Sequence, residues 1–385
     1  MKELQFSRKE YDERLKNVRT ALAEKKLDAG IFFAAESIFY LTGYGDPSHY
    51  GFQLLVVPVS KDPFFATRKQ MAAGFLAVSS IDDYVAFPDG ADPIKVTCDE
   101  LKSRGFGSAR IGLEEGAAPL TVRTWRGLNA GLPDAKLEDC SEVVDNLRLV
   151  KSPAEVEFVR RAAEIADVGM AAAPEAVHAG ASEREMMAHI LHKMTLAGGE
   201  HTAVPLLVGT GERVKLAMPS PTDRKLKSGE ALWIEVFGTR SHYAAGLKAI
   251  FGAGPASKDA ERRLQTAISA LDKAIAAAVP GKPASIIPET VQATFKEAGY
   301  EDSSYHQSGY SMGVTIAPAP HEARMLSLRT GNKMMLKEGM TLHPIANLYG
   351  PDPFPVMAAS QMIVITAKGA ERLTHYSHSV KNLSL

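Results

Sequence analysis

The sequence predicts a two-domain protein of the α+β class, with an α/β domain over residues 1–145 followed by a second, α+β domain over 146–385. Three observations predict it. At 385 residues the chain is long for one domain and suits two of roughly 100–200 residues each. Before Asp145, short apolar runs alternate with helix signals. After it, long capped helices precede strand-like runs.

The first helix is read over 7–26, with Ser7 as its cap and Tyr11, Leu15, Val18 and Leu22 at helical spacing. Ile31–Phe33 fits a buried strand, and Leu54–Pro58 and Pro63–Thr67 fit two more, joined by the polar turn Ser60-Lys61-Asp62. A helix ending near Leu101 and a strand over Ala109–Leu113 follow. In the second domain, Ser152-Pro153-Ala154-Glu155 combines a cap residue, Pro at the first helical position and Glu three residues after the cap. Ser182 and Glu185 repeat that register, and Gly198-Gly199 ends the helix they start. Further helices are read over 257–278 and Glu289–Ala298. Strands are read over Ala231–Phe237, Tyr243–Phe251, Met340–His343 and Gln361–Thr366.

Composition narrows the function. A net charge of −1 without a basic cluster argues against nucleic acid, whose phosphates demand massed Lys and Arg. No apolar run approaches a membrane span, and the first residues lack a signal-peptide core. Cys98 and Cys140 are too few for a disulfide framework or a structural zinc site. They read as reduced thiols in a cytoplasmic protein.

Four stretches resemble the creatinase/aminopeptidase P, or pita-bread, family: Thr42-Gly43-Tyr44, Asn146 to Ala166, Pro221 to Glu230, and Leu336 to Met340. The resemblance implies a creatinase-type N-terminal domain and a pita-bread catalytic domain. It also implies positions for the family's metal ligands, two Asp, one His and two Glu. Here they hold Glu235, Gly246, Tyr310, Ile345 and Ser360 or Gln361. One carboxylate of five remains, so the expectation is no metal and no other cofactor.

Glu235 in Ile-Glu-Val, Gly309-Tyr310-Ser311-Met312-Gly313 and Gly339-Met340-Thr341-Leu342-His343 resemble the ectoine hydrolases. That branch, like creatinase, is metal-free and splits a C–N bond in a small zwitterion. The resemblance therefore implies a metal-independent hydrolase acting on a small polar molecule. Two positions depart from it. Met218 stands where those relatives keep a catalytic His, and Ala249 stands where an Arg is usual. An Xaa-Pro peptidase with an irregular metal site and a non-catalytic binding module on the same fold stay open as alternatives.

The candidate catalytic residues are Glu235, Tyr310 and His343. Glu235 lies in an apolar run, where burial raises a carboxyl pKa and suits it to act as base or nucleophile. Its other reading is a strand carboxylate paired with Lys or Arg. Tyr310 either points its hydroxyl into the cavity or packs as an aromatic. His343 is read as the end of its strand and as a source of the missing imidazole. His242, Tyr243, His201, Glu322 and Gln361 are the candidate substrate contacts. In the metal-free relatives the stretch equivalent to Gly43–Gln53 reaches over the partner subunit's site. The resemblance therefore implies a homodimer in which His49, Tyr50 and Gln53 complete the site.

Overall fold

The computed structural model describes residues 2–46, 51–300, 307–317, 322–350 and 354–385. His49 and Tyr50 lie outside the described residues. The chain divides into two compact units, the first holding residues 1–148 with 316–319, the second holding 149–315 and 320–385.

The first unit is built on a six-stranded sheet in the order β4-β3-β2-β1-β5-β6. Its strands are β1 (Ala29–Phe32), β2 (Leu54–Pro58), β3 (Phe64–Arg68), β4 (Tyr84–Phe87), β5 (Arg110–Leu113) and β6 (Lys136–Asp139). The helices are α1 (Arg8–Glu24), α2 (Ala35–Thr42), α3 (Ala72–Val78), α4 (Pro93–Ser103), α5 (Val122–Gly131) and α6 (Ser141–Leu149). The β1–β2 and β2–β3 pairs are antiparallel, and the others are parallel. Alternate side chains feed two cores, Phe32, Leu55 and Phe65 on one face and Ile31, Val56 and Phe64 on the other. Ser7 caps α1 by accepting from the Glu10 N–H, as its position predicts. Helix α2 begins at Ala34, which has no capping side chain. Buried Glu114 supplies the missing acceptor to the Phe33 and Ala34 N–H groups and to the Ser37 hydroxyl.

The second unit opens with α7 (Pro153–Ala176) and α8 (Glu183–Leu196), each started by a complete capping box. Helices α9 (Lys258–Ala277) and α10 (Ile286–Glu297) cover the other layer. One sheet has the order β7-β8-β9, made of Leu207–Thr210, Ala231–Arg240 and Tyr243–Gly252. The second has the order β11-β10-β12-β14-β15, with β13 also on β12. Its strands are β10 (Gln307–Ser311), β11 (Ser327–Arg329), β12 (Thr341–Tyr349), β13 (Val356–Ser360), β14 (Ile363–Thr366) and β15 (Gly369–Arg372).

Two strands differ from the sequence reading. Pro344 looks like a stop after His343, because proline lacks a ladder donor. Strand β12 nevertheless runs on to Tyr349, which puts His343 in its interior. The run Gln361–Thr366 is two pieces, with Gln361 and Met362 in the break between β13 and β14.

Helix α7 lies on the outer face of β8 and β9, presenting the fully buried small residues Ala162, Ala163 and Ala166. A Cβ on Gly238 of β8 would overlap the Ala162 carbonyl oxygen and sit 2.6 Å from the Ala166 nitrogen. Gly238→Ala therefore has to push α7 off the sheet. Its expected cost is about 1–3 kcal/mol of unfolding free energy, measured by urea denaturation with the m-value unchanged.

Candidate active site

The site is assembled by strand register. In the β8–β9 hairpin Glu235 faces Lys248 and Phe237 faces Gly246. Residues two apart share a face, so Trp233, Glu235 and Phe237 of β8 line the same side as Gly246 and Lys248 of β9. In the second sheet Tyr310 of β10 faces His343 of β12, and Ile345 of β12 faces Ser360 of β13. His343 and Ile345 are again two apart, which makes Ser360 the diagonal neighbour of His343.

The two groups meet at His343. Its Nε2 lies 2.8 Å from the Ser360 hydroxyl oxygen. Its ring packs edge-on to Tyr310 at 5.7 Å and to Phe237 at 6.4 Å between centroids. The imidazole fills the space beside Gly246, where a Cβ would stand 2.6 Å from both Cε1 and Nδ1. Ser360 ties the sheets together a second time, because its hydroxyl oxygen accepts the Lys248 backbone N–H at 2.7 Å. The Ser360 carbonyl accepts from His378 Nε2 at 2.8 Å. The approach of β10 to β12 needs Gly309, whose φ is +117° and whose Cβ would overlap the His343 carbonyl.

Burial dominates the electrostatics. It pushes the Glu235 carboxyl up from its usual range, and the charge of Lys248 pulls it partly back. The same burial lowers the Lys248 ammonium, opposed by Glu235. Tyr310 is raised well above the ordinary phenol range, by burial first and by the Glu235 charge second. Glu235 and Lys248 thus form a desolvated, mutually dependent pair, and the Lys248 Nζ sits 3.8 Å from the centre of the Trp233 ring.

Glu235, Tyr310 and His343 are therefore brought together, whereas the expected substrate contacts of the second unit, His242, Tyr243, His201, Glu322 and Gln361, are placed or engaged elsewhere. Tyr243 has the wrong parity for the cluster. Its hydroxyl donates to Glu155 at 2.8 Å and its ring stacks on Phe158, so it packs under α7. His242 forms the β8–β9 turn with Ser241, both at positive φ, six residues from Lys248 and about 20 Å along the strand. His201 is exposed. Glu322 lies on the Ser311 side of β10, opposite to Tyr310, in a buried ion pair with Lys151 at 2.5 Å. The Gln361 side chain is spent on the Thr374 hydroxyl and the Tyr376 carbonyl. Gln53 belongs to the first unit and donates to the Asp46 carbonyl at 3.2 Å.

Lys248 and Trp233 escaped the sequence reading, and Ser360 appeared there only as one alternative for the last carboxylate position. The missing signal was the hairpin register: a two-residue turn at Ser241-His242 puts Lys248 across from Glu235.

This order of elements and this hairpin match known sequences. The profile of metallopeptidase family M24 matches residues 157–367, and that of the creatinase/prolidase N-terminal domain matches 14–150. The chain belongs to metallopeptidase family M24. Among relatives, an ectoine hydrolase of Halomonas elongata is 24% identical, with 97% of each chain covered. An Xaa-Pro dipeptidase of Pyrococcus furiosus is 28% identical over 60% of this chain and 65% of its own. The crystal structure of a prolidase from Thermococcus sibiricus shares the fold, with a TM-score of 0.86 and 18% identity over 97% of this chain and 99% of that one.

The M24 family name implies a metal centre, and the residues here do not fit one. Gly246 offers no donor and His343 occupies its side-chain space. Ile345 is apolar, and Lys248 faces the one remaining carboxylate, Glu235, across the hairpin, where its positive charge disfavours a bound cation. Among the described residues no three His, Cys, Asp or Glu side chains gather to hold an ion.

Gly246→Ala drives a methyl group into the imidazole and has to displace it from Ser360. The expected result is a loss of about 1–3 kcal/mol of stability together with a shifted His343 ring signal in the NMR spectrum.

Proposed function

We propose that the protein is a metal-independent hydrolase that cleaves a C–N bond, amide or amidine, in a small polar substrate. The observation that carries this reading is the His343 imidazole standing against Gly246 between Ser360 and Tyr310, with the carboxylate of Glu235 retained nearby. A proton-transfer cluster thus occupies the ground where M24 metallopeptidases place metal ligands. The likeness to an ectoine hydrolase supports the C–N bond class.

The chemistry follows from the groups present. Water adds to the scissile carbon as its proton passes to Glu235, whose raised pKa brings it nearer to neutrality and makes it a better base. Collapse breaks the C–N bond and returns a proton to the leaving nitrogen. Tyr310 stays protonated, because burial and the Glu235 charge both oppose phenolate, so it serves as a hydrogen-bond donor. His343 is oriented by Ser360, and its ring packs edge-on against that of Tyr310.

One observation favours a second reading. Lys248 opposite Glu235 is also what a structural ion pair on a non-catalytic module would look like. Glu235→Gln separates the two. Turnover per folded molecule should fall about 10²-fold or more if Glu235 is the base. A lowered melting temperature with turnover within a few-fold supports the structural pair. The assay screens cyclic amidines, creatine-like zwitterions and N-acyl amino acids, with melting measured on the same preparation.

Removing metal provides an independent check. After dialysis against a chelator, turnover is expected to be unchanged, and elemental analysis should find no stoichiometric transition metal. Activity lost to the chelator and restored by a divalent ion would reverse the proposal.

A further inference from the structure

Lys248 has no part in the scheme above, yet it is the cation of the cluster. Its ammonium has three N–H donors and no acceptor, and it stands across the hairpin from Glu235, over the face of Trp233. The backbone N–H of the same residue is held by Ser360, the partner of His343. The backbone of Lys248 is therefore anchored at the junction of the two strand groups, and its ammonium lies over Trp233 in a desolvated setting where electrostatic effects are magnified.

Such a group discriminates between the two scissile bonds allowed so far. An amide, imide or urea presents a carbonyl oxygen, an acceptor that gains negative charge as water adds. An ammonium donor holds that oxygen and binds it more tightly in the transition state than in the ground state. An amidine or guanidine arrives protonated at neutral pH and carries only N–H donors at the scissile carbon. It meets Lys248 with like charge and with donor facing donor. The carboxylate of Glu235 attracts such a cation, but the charge of Lys248, facing it across the ladder, opposes that attraction.

We propose that Lys248 is a catalytic residue that holds the carbonyl oxygen of the scissile group, and that it selects amides, imides or ureas over amidines and guanidines. This rests on the hydrolytic reading of the same site. In the step, the water oxygen bonds to the carbonyl carbon and one water proton goes to Glu235. The carbonyl π pair moves onto oxygen, where the Lys248 N–H groups hold it. When the pair returns, the C–N bond breaks with its electrons on nitrogen, and Glu235 passes the proton to that nitrogen. An amide thus gives a carboxylic acid and an amine, an imide a carboxylic acid and an amide, and a urea a carbamic acid and an amine.

The test uses three ligands of one shape and different charge: acetate, acetamide and acetamidinium. The sequence has two tryptophans, so Trp125→Phe leaves Trp233, the neighbour of Lys248, as the sole fluorescent reporter. Titration of that protein is expected to rank acetate first and acetamidinium last, about tenfold or more apart. Lys248→Met should erase or invert the order, Lys248→Arg should keep it, and Glu235→Gln should leave acetate ahead. If Lys248→Met melts too low to titrate, the charge-neutral pair Glu235→Gln with Lys248→Met takes its place, with the preference again expected to vanish.

Acetamidinium equal to or tighter than acetate in the parent protein, no saturable acetate binding, or an order unchanged by Lys248→Met would each overturn the inference. The ranking does not depend on turnover. A failed hydrolytic reading therefore shows as absent hydrolysis with the order intact. Hydrolysis with the order inverted sinks the role of Lys248 alone. With any hydrolysed substrate, Lys248→Met should lower kcat more than it raises KM, since the oxygen is held most tightly at the transition state.

Discussion

Everything in the candidate site depends on the mutual register of β8 and β9. It sets a buried carboxylate opposite a buried ammonium, and one step along the same face it sets an aromatic ring opposite a glycine. A lone charge at either position would be severely penalised, and removing one member of such a pair costs far more than the pair itself contributes. Glu235 and Lys248 each moderate the burial-driven pKa shift of the other.

Several other buried carboxylates show by contrast what a purely structural role looks like. Glu183 collects the Thr210 and Thr222 hydroxyls and N–H groups and the Arg213 guanidinium. Those hydrogen bonds outweigh its burial and hold its pKa down. Glu322 accepts from Lys151 and Ser311 through Oε2, and Glu155 takes part in a capping box while accepting from Tyr243. Glu114 caps α2. Glu235 differs, because its shift contains burial and one distant cation and no hydrogen bond. A carboxylate kept partly unsatisfied in this way is suited to an incoming proton, which a structural carboxylate is not.

Much of this was legible in the sequence where local chemistry dictates local structure. The capping boxes at Ser152 and Ser182 and the cap at Ser7 are self-contained signals, and each starts the helix it announces. The cluster of Glu235, Tyr310 and His343 was legible through the family resemblance. Contacts that depend on strand parity were not. Tyr243 and Ala244 look equivalent on paper, yet only one of them faces the cluster, and the turn that decides which is Ser241-His242. Both turn residues adopt positive φ without the Gly or Asn-Gly that usually marks such a hairpin. Pro344 concealed the length of β12 for a related reason, since its missing donor matters less where Gly309 reshapes the partner strand. The exchange of Gln361 for Ser360 is a slip of one residue, which in a strand reverses the face.

The same parity argument explains how a site of this kind fits in a fold that holds metals elsewhere in its family. The missing side chain at Gly246 leaves a space that the His343 ring fills. Lys248, two residues along, sets a positive charge across the ladder from the remaining carboxylate. Ser360 then closes the arrangement, because one hydroxyl bonds both the imidazole of one strand group and the backbone of the other. Gly246, His343 and Ser360 are thus interdependent through contact, and Lys248 joins them through its backbone N–H.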